Sequence, residues 1–177
     1  PKDWGQAWSG QLAQALANWP DLAVAGVYGL KQLQPQGTAQ RAGHVQDRGH
    51  LLREPTELPC EVDSLDELLV AVKVGSGLCF DEALGFDFYA TDVCLQAQAR
   101  GLRCAVLDAC CEHHSRTPRH GAVPRRVLER IARSADVFER KWMHRLPLFT
   151  PCFDIHRPGD VAAFLAAHTT PVDEDRV

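Results

Sequence analysis

The stretch that decides the fold is residues 91–107, TDVCLQAQARGLRCAVL, in which a helical pattern leads directly into a strand. Thr91 is a suitable N-cap, and Asp92 stands in the first turn, where the helix dipole favours a carboxylate. Helical spacing continues until Gly101, the residue type that most often ends a helix. The apolar run at 104–107 then predicts a buried strand.

The segments on both sides of this unit complete an α/β pattern. An apolar run at 22–28 predicts a buried strand, and residues 60–74 predict a second strand region covered on both faces. Strand, loop, helix and strand in this order form a crossover unit, so we expect an α/β domain with a mixed or parallel sheet flanked by helices. Further helices are predicted over 9–18, from Pro124 onward, and over 160–168.

Residues 30–59 are rich in Gln, Gly, Arg and His and show little periodicity. We expect a long irregular excursion here, with a short hairpin around residues 47–49. Loops of this length inside compact domains are uncommon and tend to be functional or mobile.

Composition disfavours several classes of protein. The chain has 177 residues and a formal net charge of −4, whereas nucleic-acid and membrane-surface binders are usually basic. No apolar run approaches the roughly 20 residues that span a bilayer, and no signal peptide opens the chain, so we expect a cytoplasmic protein. The seven cysteines form no C-x-x-C pair and mostly stand in apolar company, which predicts reduced, buried thiols.

Two loops follow predicted strands, the position where ligands collect in open α/β sheets. The first, 75–92, interleaves aromatic and acidic side chains, a common character of small-ligand pockets. At its end, Asp92 can accept a proton from an incoming hydroxyl, or it simply caps the helix.

The second loop, 108–121, carries side chains that bind metals in the run Cys110-Cys111-Glu112-His113-His114. One histidine acting with ligands from elsewhere is the favoured metal hypothesis. A closed zinc site drawn from these residues would need four ligands within five positions, too close together to wrap one tetrahedral ion easily. The other interpretation is a polar surface loop with two incidental histidines.

At these two loops the chain resembles a known family. Residues 86–97, FDFYATDVCLQA, together with Gly101-Leu102-Arg103 and His114-Ser115, resemble the acceptor-side, C-terminal part of bacterial family 2-type glycosyltransferases with the GT-A fold. The resemblance covers residues 1–147 and leaves 148–177 as a C-terminal extension with a short helix and a polar tail. It implies a partial GT-A-like sheet whose N-terminal, nucleotide-binding half is missing.

The resemblance implies transfer of a sugar from a nucleotide-sugar donor to a hydroxyl of a sugar, lipid-linked or protein acceptor. Asp92 would be the general base, since an alcohol is a poor nucleophile until a base takes its proton. His114 would bind the diphosphate and a divalent metal, Mn²⁺ or Mg²⁺. Further residues of the same loop would contact substrate: Phe86, Asp87, Phe88, Tyr89 and Thr91.

The resemblance also implies that this fragment alone is inactive, because most of the donor site is absent. The alternative is a non-catalytic module of the same fold that binds a glycan or a protein partner. A third option is a structural zinc domain around residues 110–114.

Overall fold

The computed structural model describes residues 4–33, 38–47, 49–109, 111–114 and 121–173. These residues form four α-helices, thirteen strands and two single-turn 3₁₀ helices. In chain order the helices and strands are α1 (Trp4–Asn18), β1 (Leu22–Gly26), β2 (Tyr28–Leu33), β3 (Thr38–Asp47), β4 (His50–Arg53), β5 (Cys60–Glu61), β6 (Ser64–Leu65), β7 (Val70–Val72), α2 (Tyr89–Ala99), β8 (Arg103–Val106), β9 (Cys111–His113), β10 (Ala122–Pro124), α3 (Arg125–Trp142), β11 (Leu148–Phe149), β12 (Asp154–Ile155), α4 (Asp160–His168) and β13 (Thr170–Val172).

Two sheets form the centre of the fold. The first is mixed, with the strand order β5-β8-β1-β7, in which β8 runs parallel to β1 and the outer strands run antiparallel to their neighbours. The second has the antiparallel order β4-β3-β2-β6, and β9 adds to β3 in parallel. The predicted α/β class, with helices beside a mixed sheet, is confirmed.

A continuous run of chain connects the two sheets. β1 ends at Gly26 and β2 begins at Tyr28, so Val27 alone separates them. A Cβ on Gly26 would lie 2.8 Å from the Leu65 side chain and 3.0 Å from the Leu69 carbonyl oxygen. A Cβ on Gly43, opposite Tyr28 with φ of 105°, would lie 2.1 Å from the Val27 carbonyl oxygen. Only glycine fits this junction.

The crossover helix α2 exists as predicted but begins differently. Its N-cap is Phe88, in the left-handed conformation (φ 66°) and without a side-chain cap, so the assignment of Thr91 as N-cap is wrong. Thr91 lies inside the helix, where its hydroxyl donates to the Leu65 carbonyl at 3.5 Å. Phe88 is held in place by stacking on Phe138, with ring centroids 5.0 Å apart. The predicted stop is confirmed, since Gly101 (φ 68°) follows the C-cap.

Residues 60–74 are not one strand region, which corrects the prediction. They form β5 and β7 in the first sheet and β6 in the second. β7 is antiparallel to β1, so the parallel partner of β8 is β1 and not the strand before the crossover helix. The chain turns after β6, where the Asp66 carboxylate accepts a hydrogen bond from the Glu67 N–H at 2.7 Å. Such local bonding by Asp favours turns, and the apolar alternation of the segment concealed it.

Residues 30–59 are also more regular than predicted. They contain most of β2 and all of β3 and β4, which are joined antiparallel, so the expected irregular excursion is wrong. The predicted hairpin is confirmed, because Asp47 pairs with His50. All four residues of β4 are exposed, which explains why no apolar alternation marked it.

The C-terminal helices match their predicted positions. Pro124 occupies the N-cap position of α3, and α4 spans Asp160–His168 as expected. Glu139, buried on α3, joins the two helices by accepting hydrogen bonds from the N–H groups of Gly159 (2.6 Å) and Val161 (3.3 Å). A carboxylate at a helix N-terminus satisfies amides that have no partner within the helix.

Side chains on both sides of the predicted boundary at residue 147 share one apolar cluster. Leu148 and Ile155 lie in the same cluster as Phe88 and Leu95 of the preceding part. Among the described residues, no helix is long and apolar enough to cross a membrane.

Cys60, Cys79, Cys94, Cys104 and Cys152 are free thiols, as predicted. Burial is confirmed for Cys94, Cys104 and Cys111, whereas Cys79 and Cys152 are exposed. Cys110 lies outside the described residues.

Candidate functional site

A broad open cleft of about 1040 Å³ lies where the second sheet meets α3 and the loops around α2. We call it the main cleft. Its lining residues come from β2, β3, β4, β9, β10, α3 and four loops: Tyr28, Val45, Asp47, Leu52, Asp66, Glu67, Leu68, Phe86, Asp87, His113, His114, Pro124, Arg126, Val127, Arg130, Pro151 and Cys152.

Glu67 is the strongly perturbed carboxyl of this cleft. Burial raises the pKa of Glu67 to about 8, and the neighbouring carboxyls of Asp66 and Asp87 act in the same direction. The backbone amides of Glu67 itself and of Ala90, in the first turn of α2, act in the opposite direction. A carboxyl that titrates near neutral pH can both take and return a proton under physiological conditions, as general acid–base catalysis requires.

The backbone around Glu67 is held from several sides. The Asp66 N–H donates to the Tyr28 carbonyl at 3.0 Å, which fixes the segment to β2. The Tyr89 hydroxyl donates to the Glu67 carbonyl at 3.1 Å, which ties it to α2. Sequence reasoning missed this residue because it fell inside a predicted strand. The signal that could have found it is the pair of adjacent acids within an otherwise apolar run.

Asp87 and Arg130 form one wall of the cleft. Arg130 donates from Nε (2.9 Å) and Nη2 (3.0 Å) to the two carboxylate oxygens of Asp87, a bidentate pair. The Ser134 hydroxyl donates to the same carboxylate at 3.3 Å. The Phe86 ring covers the other side of the guanidinium, 5.0 Å from its carbon, and is itself 62% exposed. This wall therefore presents two groups to a ligand: the Arg130 guanidinium, which Asp87 holds in place, and the exposed Phe86 ring.

His113, the last residue of β9, and His114, which follows it, also line the main cleft. His113 Nδ1 lies 3.0 Å from Asp47 Oδ1, next to it on β3. His114 is 82% exposed, and its Nε2 lies 3.8 Å from Glu112 Oε1. Ser115, which the resemblance included, lies outside the described residues.

The described residues gather no group of three or more His, Cys, Asp or Glu side chains that could hold a metal ion. Of the residues in the predicted zinc site, Cys111 is buried on β9 and His114 faces solvent, whereas Cys110 lies outside the described residues. The divalent metal expected at His114 stays a prediction.

Asp92 lies apart from the cleft, between α2 and α3. Its side chain has no exposed surface, and Lys141 Nζ lies 2.8 Å from one carboxylate oxygen. Trp142 Nε1 donates to that same oxygen at 2.7 Å, and Gln96 Nε2 donates to the other at 2.7 Å. A carboxylate enclosed in this way has no open side for a substrate hydroxyl. Its role as general base stays a prediction, and the geometry favours a structural role.

The other predicted contact residues divide between two cavities. Phe86, Asp87 and His114 line the main cleft. A smaller cavity of about 170 Å³ adjoins it, which we call the inner pocket, and is lined by Glu67, Asp87, Phe88, Thr91, Ile131, Thr150, Pro151, Cys152 and Phe153. Tyr89 supports the backbone of Glu67. The main cleft thus brings His114 and Asp87 together but leaves Asp92 outside.

Comparison with known proteins corrects the resemblance drawn from the sequence. No family model matches the chain. A curated relative from Fuscovulum blasticum, named "ATP synthase subunits region ORF 6", is 36% identical over 100 residues, which make up 55% of this chain and 40% of that protein. The chain thus spans less than half the length of this relative. Its name does not suggest a glycosyltransferase, so the predicted membership of the family 2-type glycosyltransferases is wrong.

Proposed function

We propose that the main cleft is the active site of an enzyme that acts on a hydroxyl group of a sugar-sized substrate, with Glu67 as the acid–base residue. The observation that carries the proposal is the position of Glu67, which titrates at a pKa of about 8 where the main cleft meets the inner pocket. Strongly shifted carboxyls in clefts are good candidates for catalysis.

The chemistry follows from the raised pKa. An alcohol attacks poorly until a base removes its proton during the reaction. A carboxylate with a pKa near 8 is a stronger base than an ordinary carboxylate, and a useful fraction of it is ionised at neutral pH. Asp66 and Asp87 maintain the high pKa, because each adds negative charge beside Glu67.

The residues that surround Glu67 in the main cleft suit the binding of a sugar ring. The exposed face of Phe86 offers a surface on which the apolar side of a sugar can pack. Arg130, fixed by Asp87, keeps a positive charge beside that surface without the entropy loss of ordering a free side chain. A few fixed polar groups in a large concave site are typical of small-ligand binding.

The reaction we propose is transfer of a sugar from a nucleotide-sugar donor to the substrate hydroxyl. This keeps the reaction expected from the sequence and assigns proton transfer to Glu67 in place of Asp92. A divalent metal near His114, a GT-A-like arrangement of the mixed sheet and a cytoplasmic location remain predictions that accompany it.

The test compares Glu67→Gln with wild type, both as full-length protein, in sugar transfer from a panel of nucleotide sugars to monosaccharide acceptors. General acid–base groups contribute about 10²–10⁴-fold, so we expect turnover to fall by at least about 100-fold while acceptor binding persists. Glu129→Gln, an exposed change on α3 outside the cleft, is the matched control and should behave as wild type.

Two outcomes would contradict the proposal. Turnover unchanged in Glu67→Gln removes Glu67 as the acid–base group. Acceptor binding in the cleft of the full-length protein, without turnover from any donor, identifies a binding module instead of an enzyme.

A further inference from the structure

Tyr89, the first residue of α2, joins the backbone of Glu67 to the aromatic surface of the main cleft without lining the cleft itself. Its hydroxyl donates to the Glu67 carbonyl at 3.1 Å. Its ring meets Phe86 edge-on, with centroids 6.2 Å apart, and meets Phe80 in the same way at 5.7 Å. One side chain therefore touches both the acid–base residue of the proposed reaction and the ring on which the substrate would pack.

The start of α2 has no side-chain cap, because its N-cap residue is Phe88. The first N–H groups of a helix have no partner within the helix, and they carry its positive end. The Ala90 N–H, one of these groups, bonds to the Glu67 carboxyl and opposes the rise that burial causes in the pKa of Glu67. Glu67 thus takes the place of the missing cap, where its ionised form is favoured.

The two contacts hold Glu67 at different points. Tyr89 holds its backbone carbonyl, and Ala90, the next residue of the same helical turn, bonds to its carboxyl. A glutamate side chain is flexible, so a contact at either point alone would leave the other free to move. Because neighbouring residues of a helix keep a fixed spacing, the two contacts together set the position of the carboxyl.

The Tyr89 hydroxyl is a constant donor. Burial raises its pKa, and the charges of Glu67, Asp66 and Asp87 act in the same direction. The hydroxyl therefore keeps its proton at physiological pH and can donate it to the Glu67 carbonyl whether Glu67 is ionised or neutral.

We propose that Tyr89 is a positioning residue of the reaction, which fixes Glu67 to the first turn of α2 within reach of a hydroxyl on a substrate packed against Phe86. The inference rests on the proposed function, in which Glu67 takes the proton of that hydroxyl. Tyr89 takes no part in the proton transfer itself. It acts through Glu67 by its hydroxyl and through Phe86 by its ring, so the two effects can be separated.

Two substitutions in the full-length protein separate them. Tyr89→Phe removes the hydroxyl and keeps the ring, so we expect kcat to fall by about tenfold or more while the acceptor KM stays within about twofold. Tyr89→Leu removes the ring contacts as well, so the acceptor KM should also rise, by about threefold or more.

Titration of the Glu67 carboxyl, followed by NMR in the same proteins, gives a readout that needs no turnover. In Tyr89→Phe the ring stays in place, whereas the bond from Ala90 that favours the ionised form is weakened. The pKa of Glu67 should therefore rise above its wild-type value of about 8. Thr169→Val is the matched control, because it removes a hydroxyl that donates to the Leu165 carbonyl at 2.6 Å, outside the cleft. It should leave both the kinetics and the titration as in wild type.

The outcomes separate this inference from the proposed function. Wild-type kcat and an unchanged pKa of Glu67 in Tyr89→Phe, in an enzyme whose turnover depends on Glu67, overturn the inference and leave the function standing. A raised pKa of Glu67 in Tyr89→Phe, with no turnover even in the full-length wild type, supports the hold on Glu67 and defeats the enzyme. A rise in acceptor KM with unchanged kcat in Tyr89→Phe would assign the hydroxyl to binding, which also overturns the inference.

Discussion

The ammonium nitrogen of Lys141 lies between two carboxylates, 2.8 Å from Asp92 Oδ1 and 2.7 Å from Asp81 Oδ2. Asp92 is wholly buried and accepts further hydrogen bonds from Trp142 and Gln96. Lys141 and Trp142 belong to α3 and Asp92 to α2, so one buried charge joins the two helices. A buried carboxylate is tolerable only when it is paired and hydrogen-bonded in this way.

The first prediction concerns the stability of Asp92→Asn. Hydrogen bonds to charged groups contribute about 1.5–3 kcal/mol, and Lys141 keeps Asp81 as a partner, so we expect the free energy of unfolding to fall by about 2–4 kcal/mol. Urea unfolding measures the loss. Asp136→Asn, which breaks an exposed ion pair with Arg140, is the control and should change stability by less than about 1 kcal/mol. A fully stable Asp92→Asn that had lost turnover would restore Asp92 as the base.

The second prediction concerns pH. The pKa of Glu67 rises from 4.5 to about 8 on folding, so the folded protein keeps a proton that the unfolded chain releases. The free energy of unfolding therefore falls as the pH rises from about 4.5 to 8, by about 1 kcal/mol per pH unit from this group. Burial also raises the pKa of Asp66, but Asp66 is present in both wild type and Glu67→Gln, so their difference isolates Glu67. Parallel stability–pH curves for the two proteins would show that Glu67 titrates normally.

The third prediction uses two glycines with positive φ. At Gly43 a Cβ would lie 2.1 Å from the Val27 carbonyl, whereas at Gly49 nothing lies within 4 Å. Gly49→Ala should lower the free energy of unfolding by about 1–2 kcal/mol, because alanine is strained in the left-handed conformation that Gly49 adopts. Gly43→Ala adds a steric clash at the junction of the sheets and should cost more than about 3 kcal/mol in urea unfolding. Equal losses would mean that β2 and β3 do not approach as described.

The fourth prediction ranks the cysteines by how readily their thiols are alkylated. Cys79 and Cys152 are exposed and Cys94 is buried. Although Cys152 has exposed surface, it lines the main cleft, where desolvation of its thiol, followed by the charges of Asp66 and Glu67, raises its pKa to about 12 and keeps it protonated and less nucleophilic. Alkylation by iodoacetamide, mapped by peptide mass spectrometry, should therefore modify Cys79 first, Cys152 next and Cys94 last. Modification of Cys152 before Cys79 would contradict the environment of the main cleft.

Structural features that depend on residues close together in the chain were predictable from the sequence. The end of α2 at Gly101 and the bounds of α4 needed only a glycine and a short periodic run, and both are confirmed. The start of α2 was not predictable, because stacking on the distant Phe138 and not a local cap holds Phe88 in place.

The candidate site depends on contacts between distant parts of the chain, which explains why the sequence pointed elsewhere. Asp92 has the position expected of a reactive acid at a helix start, but Lys141 and Trp142 enclose it. The sequence shows the neighbouring acid Asp66 beside Glu67, but it does not show the burial that is the main cause of the raised pKa of Glu67, nor the Asp87 carboxyl that folding brings near it.

The polypeptide passes between the two sheets five times: at Val27, between β4 and β5, between β5 and β6, between β6 and β7, and between β8 and β9. Side chains from both sheets also share buried clusters, as Val24 and Cys104 do with Ala42. Neither sheet can detach while the other remains intact, so the two behave as a single cooperative unit. Amide hydrogens of β1 and β2 should therefore exchange with the same global opening free energy. Glu67, on the passage between β6 and β7, is anchored to this cooperative unit.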